Sequence, residues 1–312
     1  MLHFLICNIL IRGAVIIILT ARRIFRHALS GRMRYNLWFI LLGLLPVPFL
    51  PLRLSGFSQF FPLSAGSGIF SAANRADGKT PGISPAGHTD WMYDFTLSVS
   101  SRTPSAAGLI LFCIWICGTS IVALLIIRSF LRLRTLEKSA LPLQNREIRC
   151  LYRRCLKEMG IGRDIPVLST AYLKSPIITG FLNPRIYLPI HLISDYREEE
   201  MRFMILHELQ HFRHHDSIAG FLMNLAAAVY WFNPFVWLAL REMRNDREIA
   251  CDASVLRMLK KEEYRAYGST LINFAEKTSL SSFPFAAGLG GSMKQMRQRI
   301  LNIAYYENPT FI

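Results

Sequence analysis

"ILHELQHFRHHDSIAGFLMNLAAAVYWFNPFVWLALREMRNDREIACD", residues 205–252, places a histidine-rich stretch and an acidic stretch on either side of one apolar segment, Ser217–Leu240. As a single straight helix rising 1.5 Å per residue, that segment would run about 36 Å, enough to cross a bilayer and keep the two stretches apart. Asn233 and Pro234 argue against this, because proline disrupts a helix and disfavours helical geometry in the residue before it. The spacing therefore predicts a helical hairpin over about 217–240, in or against the membrane, that returns "REMRNDREIACD" towards His207 and His211.

Ahead of the hairpin, "SDYREEEMRFMILHELQHFRHHD" reads as a helix with Ser194 or Asp195 as N-cap and acidic residues in its first turn. Residues four apart share a helix face, so His207 and His211 can aim at one ion while Glu208 reaches water beside it. This is the H-E-x-x-H pattern of zinc metalloproteases, with Zn²⁺ as the expected cofactor and Glu208 as the expected catalytic base. In the extended pattern H-E-x-x-H-x-x-G-x-x-H, the glycine and last histidine positions fall here on His214 and Ser217, which excludes that class. His214 and His215 are read as solvated or supporting residues. The third ligand must come from the returning arm, which offers Glu242 with Asp246 and Glu248 with Asp252. Spacing does not choose between these pairs.

The rest of the chain fits a membrane setting. Of 312 residues, 52% are hydrophobic, in blocks, and the net charge of +15 sits beside those blocks. Apolar runs at Met1–Leu19, Leu37–Leu54 and Ala106–Ile127 are each long enough for a transmembrane helix. The basic stretches "ARRIFRHALSGRMR" and "RSFLRLRTLEK" place their own side, and everything after Ile127, in the cytoplasm, and the Ser/Gly/Pro-rich stretch at about 55–105 outside. With neither a basic stripe interleaved with aromatics nor a reading module, direct nucleic-acid binding is excluded. Of the six cysteines two lie inside an apolar span and none in the expected external loop, so no disulfide framework is expected, and there is no C-x-x-C zinc pair. Residues 1–127 thus form a membrane region, and 128–312 a cytoplasm-facing domain. A charged helical pattern covers Glu137–Met159, and two strands joined at Asn183 and Pro184 lie in "KSPIITGFLNPRIYLPIHL".

"SPIITGFLNPRIYLP", "HELQHFRHHD", "YWFNPFVWLALREMRNDREIACDASVL" and "YRAYGSTLINF", in this order after three spans, resemble the BlaR/MecR family of membrane-embedded zinc metallopeptidases that transduce β-lactam signals in bacteria. The resemblance implies a multi-span α-helical membrane protein with an α+β gluzincin-like zinc metallopeptidase domain, in the bacterial plasma membrane. It selects Glu248 as the third zinc ligand beside His207 and His211, with Asp252 supporting a ligand. It implies a substrate-binding edge strand, matched by Ile186, Tyr187 and Leu188, and an autocleavage segment at about 292–303 with Gln298–Arg299 as the scissile bond. The expected partners are the lipid bilayer, the chain's own C-terminal segment, a cytosolic repressor and a second copy of the chain. Family members continue into an external penicillin-binding sensor, whereas this sequence stops at Ile312, as a fragment or a peptidase without that sensor. The rivals are a stand-alone membrane gluzincin for protein processing or quality control, and a catalytically silent signalling scaffold; the intact Glu208 speaks against the latter.

Overall fold

The computed structural model describes residues 2–25, 29–46, 106–180, 183–280 and 293–306. Helices α1 (Leu2–Ile24), α2 (Gly31–Leu44) and α3 (Ala106–Lys138) come first, followed by β1 (Leu141–Pro142), α4 (Arg146–Glu158), β2 (Val167–Thr170), β3 (Ile177–Thr179) and β4 (Arg185–Pro189). Then come α5 (Ile190–Asp195), α6 (Glu198–Arg213), α7 (Asp216–Val229), α8 (Pro234–Leu256), α9 (Glu263–Leu280) and α10 (Met293–Ala304). Among the described residues, one stretch, Gly108–Thr135 in α3, is long and apolar enough to cross a membrane, and none of it is buried within the chain. The expected external loop and the last residues of the expected second span, 47–54, lie outside the described residues.

Two cores form. Leu151, Tyr152, Cys155 and Leu156, on one face of α4, pack with the sheet, α6 and α9 in the first. The second gathers α1, α2, α7 and α8 around Trp38, Tyr35, Met223 and Val236. Helix α8 serves both: Val236, Ala239 and Leu240 belong to the second core, and Val255 and Leu256, nearer its C-terminus, to the first. Its length, roughly 34 Å for a helix of this size, is what joins them.

The apolar segment does reverse. Helix α7 ends at Val229, and α8 begins with Pro234 in its first turn. Asn233 is fully buried; its side chain accepts a hydrogen bond from Phe235 N at 3.0 Å and donates to Asn8 Oδ1 at 3.2 Å. Backbone carbonyls at such a reversal need donors where water is scarce. Indoles supply them: Trp115 Nε1 donates to Val229 O (3.1 Å) and Trp237 Nε1 to Trp231 O (2.8 Å), while Tyr230 OH donates to Leu45 O at 2.5 Å.

The sheet order is β1-β2-β4-β3, with β2 and β4 parallel and the outer pairs antiparallel. Gly180 adopts φ +92 in the β3–β4 connection, where an added Cβ would lie 2.3 Å from Asn183 O. Three sequence expectations need correction here. Ile186, Tyr187 and Leu188 lie on β4, which is paired on both sides and almost wholly buried, so they do not form an edge. Their unbroken apolar run is the signature of a central strand, and the edge beside α6 is β3. The helical pattern expected over 137–159 is interrupted by β1, because Pro142 cannot continue a helix. The N-cap of α6 is Arg197, whose N–H donates to Glu200 Oε2 at 3.0 Å; Ser194 and Asp195 end the separate helix α5.

Gly118 on α3 faces the hairpin tip, where an added Cβ would sit 2.1 Å from the Trp231 ring. Gly118→Ala is therefore expected to lower thermal stability by an overpacking cost of about 1–3 kcal/mol. Trp231→Leu in the same chain should recover part of that loss, which thermal unfolding in detergent will measure.

Candidate metal centre

Helix α6 carries His207 and His211 one turn apart, their rings 4.8 Å between centroids and nearly perpendicular. The helix stops at Arg213, and His215 turns the chain in the left-handed region at φ 55, the one non-glycine residue among those described with positive φ. That conformation costs an L-residue roughly 1–2 kcal/mol. It redirects the chain so that Asp216, at the start of α7, points back at the helix it follows: its Oδ2 lies 2.6 Å from His211 Nδ1.

Reversal of the apolar segment brings α8 alongside. Glu248 Oε2 lies 3.6 Å from His207 Nε2 and 3.7 Å from His211 Nε2. Arg247 donates to the other oxygen, Oε1, at 3.1 and 3.3 Å, which leaves Oε2 turned to the imidazoles. On the far side of His207, Nδ1 lies 3.0 Å from Tyr267 OH and 3.3 Å from Asp252 Oδ1, and Tyr267 OH donates to the same Oδ1 at 2.7 Å. The carboxylates accept, so both Nδ1 atoms donate and both Nε2 atoms face Glu248.

These donors fit a metal. Tetrahedral coordination with bonds of roughly 2.0–2.1 Å sets ligand atoms about 3.3 Å apart, a few tenths less than the separations here. A second set, His207, His211 and Cys251, also gathers within 4.8 Å. Geometry favours the first. Cys251 Sγ lies 3.6 Å from Nδ1 of His207, the nitrogen already engaged by Tyr267 and Asp252, and its thiol donates to His207 O at 3.3 Å.

Burial opposes charge on both imidazoles, but Cys251 and the surrounding acids outweigh it and hold both well above the ordinary histidine range. Burial also works against the Glu248 carboxylate, yet His211, His207, Arg299 and Arg247 together keep it well below the ordinary carboxyl range. Glu208, partly exposed beside the histidines, behaves oppositely: desolvation pushes its carboxyl up, against the pull of His211 and His207. His214 turns away to Ser254 Oγ, 3.3 Å from its Nε2, and burial pushes it down to about 4.

Of the two acidic pairs, Glu248 and Asp252 are thus at the histidines, and Glu242 and Asp246 are not. Arg22 of α1 bonds Asp246 Oδ1 at 2.5 Å and approaches Glu242 at 3.4 Å, and Trp38 of α2 donates to Asp246 Oδ2 at 2.7 Å. Gln298 and Arg299 are not in an extended tail: both lie inside α10, where Gln298 Oε1 accepts from Asn245 at 3.1 Å and Arg299 pairs with Asp252. Sequence reasoning missed Asp216, Tyr35, Tyr267 and Cys251. Asp216 follows His211 by five residues, off its helical face, so only the left-handed turn reveals it. Tyr35, whose OH donates to Asp216 Oδ1 at 3.0 Å, is remote in sequence.

Two outcomes are expected. Glu248→Gln should weaken metal binding by more than the roughly 10–100-fold that loss of an outer partner costs, while Cys251→Ser and Glu242→Gln stay near wild type in chelator competition. Because both imidazoles hold protons more firmly than usual, metal must displace them; affinity should rise with pH through the neutral range and level off only above the raised histidine values.

Comparison with known proteins places the chain in a family. The chain is 29% identical over 308 residues to the regulatory protein BlaR1 of Bacillus licheniformis, covering 97% of this chain and 51% of that protein. It is 22% identical over 300 residues to the methicillin resistance mecR1 protein of Staphylococcus aureus, covering 94% and 50%. The chain therefore spans about half the length of the curated relatives it matches. The model of the family described as BlaR1 peptidase M56 matches residues 2–303, a span that takes in α1 and nearly all of α10 as well as the paired histidines, and on that match the chain belongs to the BlaR1 peptidase M56 family.

Proposed function

We propose that this chain is the membrane-embedded zinc metalloendopeptidase of a bacterial signalling receptor, which cleaves itself and a cytosolic repressor and so induces antibiotic resistance. The observation that carries the peptidase reading is the near-equal approach of Glu248 Oε2 to the two Nε2 atoms, with Glu208 on the same helix turn. The receptor reading draws on relatives named as regulatory and methicillin-resistance proteins. In this reading His207, His211 and Glu248 hold Zn²⁺, and α1, α2 and α3 anchor the site at the cytoplasmic face, as the basic segments favour.

Zinc bound there would supply Lewis acidity towards a scissile carbonyl and water. The chain's own residues do the rest. Glu208 accepts the proton of the attacking water and passes it to the leaving amine, and its raised affinity for protons suits both steps. Asp252 and Asp216 fix the two imidazole tautomers through Nδ1. A substrate in extended form would pair with the outer edge of β3, Ile177–Thr179, which has no strand partner among the described residues and lies against α6.

The proposed self-cleavage at Gln298–Arg299 has a structural precondition. The bond lies within a helix, and a helical peptide cannot add to a sheet edge, so α10 must undock and extend before it enters the site. Tethering gives the released segment an effective concentration in the millimolar range. Mass spectrometry of the active protein is expected to find a new N-terminus at Arg299. Glu208→Ala should abolish that cut and retain zinc, since Glu208 is no ligand; persistence of the cut, with contaminating proteases removed, would refute self-cleavage.

A further inference from the structure

Arg299 of α10 reaches the histidine cluster with its side chain. Its guanidinium grips Asp252 with two parallel hydrogen bonds, Nε to Oδ2 at 2.7 Å and a terminal nitrogen to Oδ1 at 2.8 Å. The remaining terminal nitrogen lies 3.7 Å from Glu248 Oε2, the oxygen that faces both imidazoles. The side chain is 12% exposed and that of Asp252 3%, so the pair is almost dry. Next to it, Gln298 is held by Asn245 of α8. Asp252 Oδ1, steered by this grip, is the atom that faces His207 Nδ1 and accepts from Tyr267.

We propose that Arg299 is a positioning residue of the metal centre: its two-pronged grip sets the Asp252 carboxylate that orients His207, so docking of α10 and metal binding stabilise each other. This rests on the zinc reading above. The fork geometry of arginine fixes the plane of a carboxylate, which a lysine point charge does not. Without Arg299, Asp252 is a buried carboxylate that has lost its cation and the fork that fixes its plane, so its Oδ1 is no longer set squarely at His207 Nδ1. The coupling is reciprocal: whatever α10 contributes to metal affinity, metal contributes equally to α10 docking. Release of the C-terminal segment would thereby loosen the site that Arg299 had set.

Charge alone predicts the opposite sign. A cation 3.7 Å from a ligand oxygen repels a dication, so removing it would tighten metal binding. Zinc affinity of the detergent-purified full chain, measured by chelator competition, separates the two. Arg299→Gln is expected to weaken zinc about tenfold or more, the range for loss of an outer-shell partner. Arg299→Lys should recover part of the loss, and Arg297→Gln, which removes an exposed charge from the same helix, should match wild type. Equal or tighter zinc binding by Arg299→Gln would overturn the inference, as would an equal loss in Arg297→Gln.

Should Arg299→Gln misfold, hydrogen exchange over residues 293–304 of the unaltered chain decides. Chelating zinc is expected to speed exchange there, and exchange indifferent to zinc overturns the proposal. An unaltered chain that takes up no zinc, or a His207→Ala chain that takes it up normally, refutes the zinc reading itself and this inference with it. That failure is recognisable because it involves no change at Arg299.

Discussion

The reversal of one apolar segment at Asn233 and Pro234 is the constraint on which the rest of the molecule depends. Without it, α7 and α8 would continue as one long helix and Glu248 would lie far from His207 and His211. The reversal leaves backbone carbonyls without helical partners; the indoles of Trp115 and Trp237 donate to those of Val229 and Trp231, while Tyr230 ties the tip to the Leu45 carbonyl beyond α2. The close approach of Gly118 to Trp231 then docks the tip on the one described helix able to cross a membrane.

With the reversal made, α8 becomes the organising helix. Its two acidic pairs do different work on different faces. Glu242 and Asp246 take Arg22 and Trp38 from α1 and α2, and Glu248 and Asp252 take the imidazoles and Arg299. Each carboxylate is buried or partly buried and would be costly alone; each has a cation or several donors, which is the condition for keeping charge inside a protein. One helix thus holds α1 and α2 and the candidate metal centre in fixed relation.

The two histidines are supported from opposite directions. His211 leans on Asp216, which Tyr35 of α2 holds, and His207 leans on Asp252, which Tyr267 of α9 and Arg299 of α10 hold. A shift of α2 bears on one imidazole and a shift of α10 on the other. The two imidazoles of the candidate centre are thus oriented from two separate helices, and such outer partners bear on how firmly a metal is held.

Much of this was legible in residues that lie close together in sequence. The pair His207 and His211 with Glu208, the break at Asn233 and Pro234, and the turn around Asn183 and Pro184 are local signals: helical spacing, proline geometry and β-branched runs act over a few residues, and the structure has the corresponding helix, hairpin and strand pair. Spacing alone left the choice between Glu242 and Glu248 open, and the edge strand that the resemblance implied fell on Ile186–Leu188, which the structure makes central, because whether a strand is central depends on β2, which joins from a separate stretch of chain. The roles of Asp216, Tyr35 and Tyr267, and the pairing of Arg299 with Asp252, were beyond reach for the same reason. Their partners are set by a single left-handed residue or by helices distant in sequence, and a hydrogen bond between such groups exists only once packing has fixed both within about 3 Å.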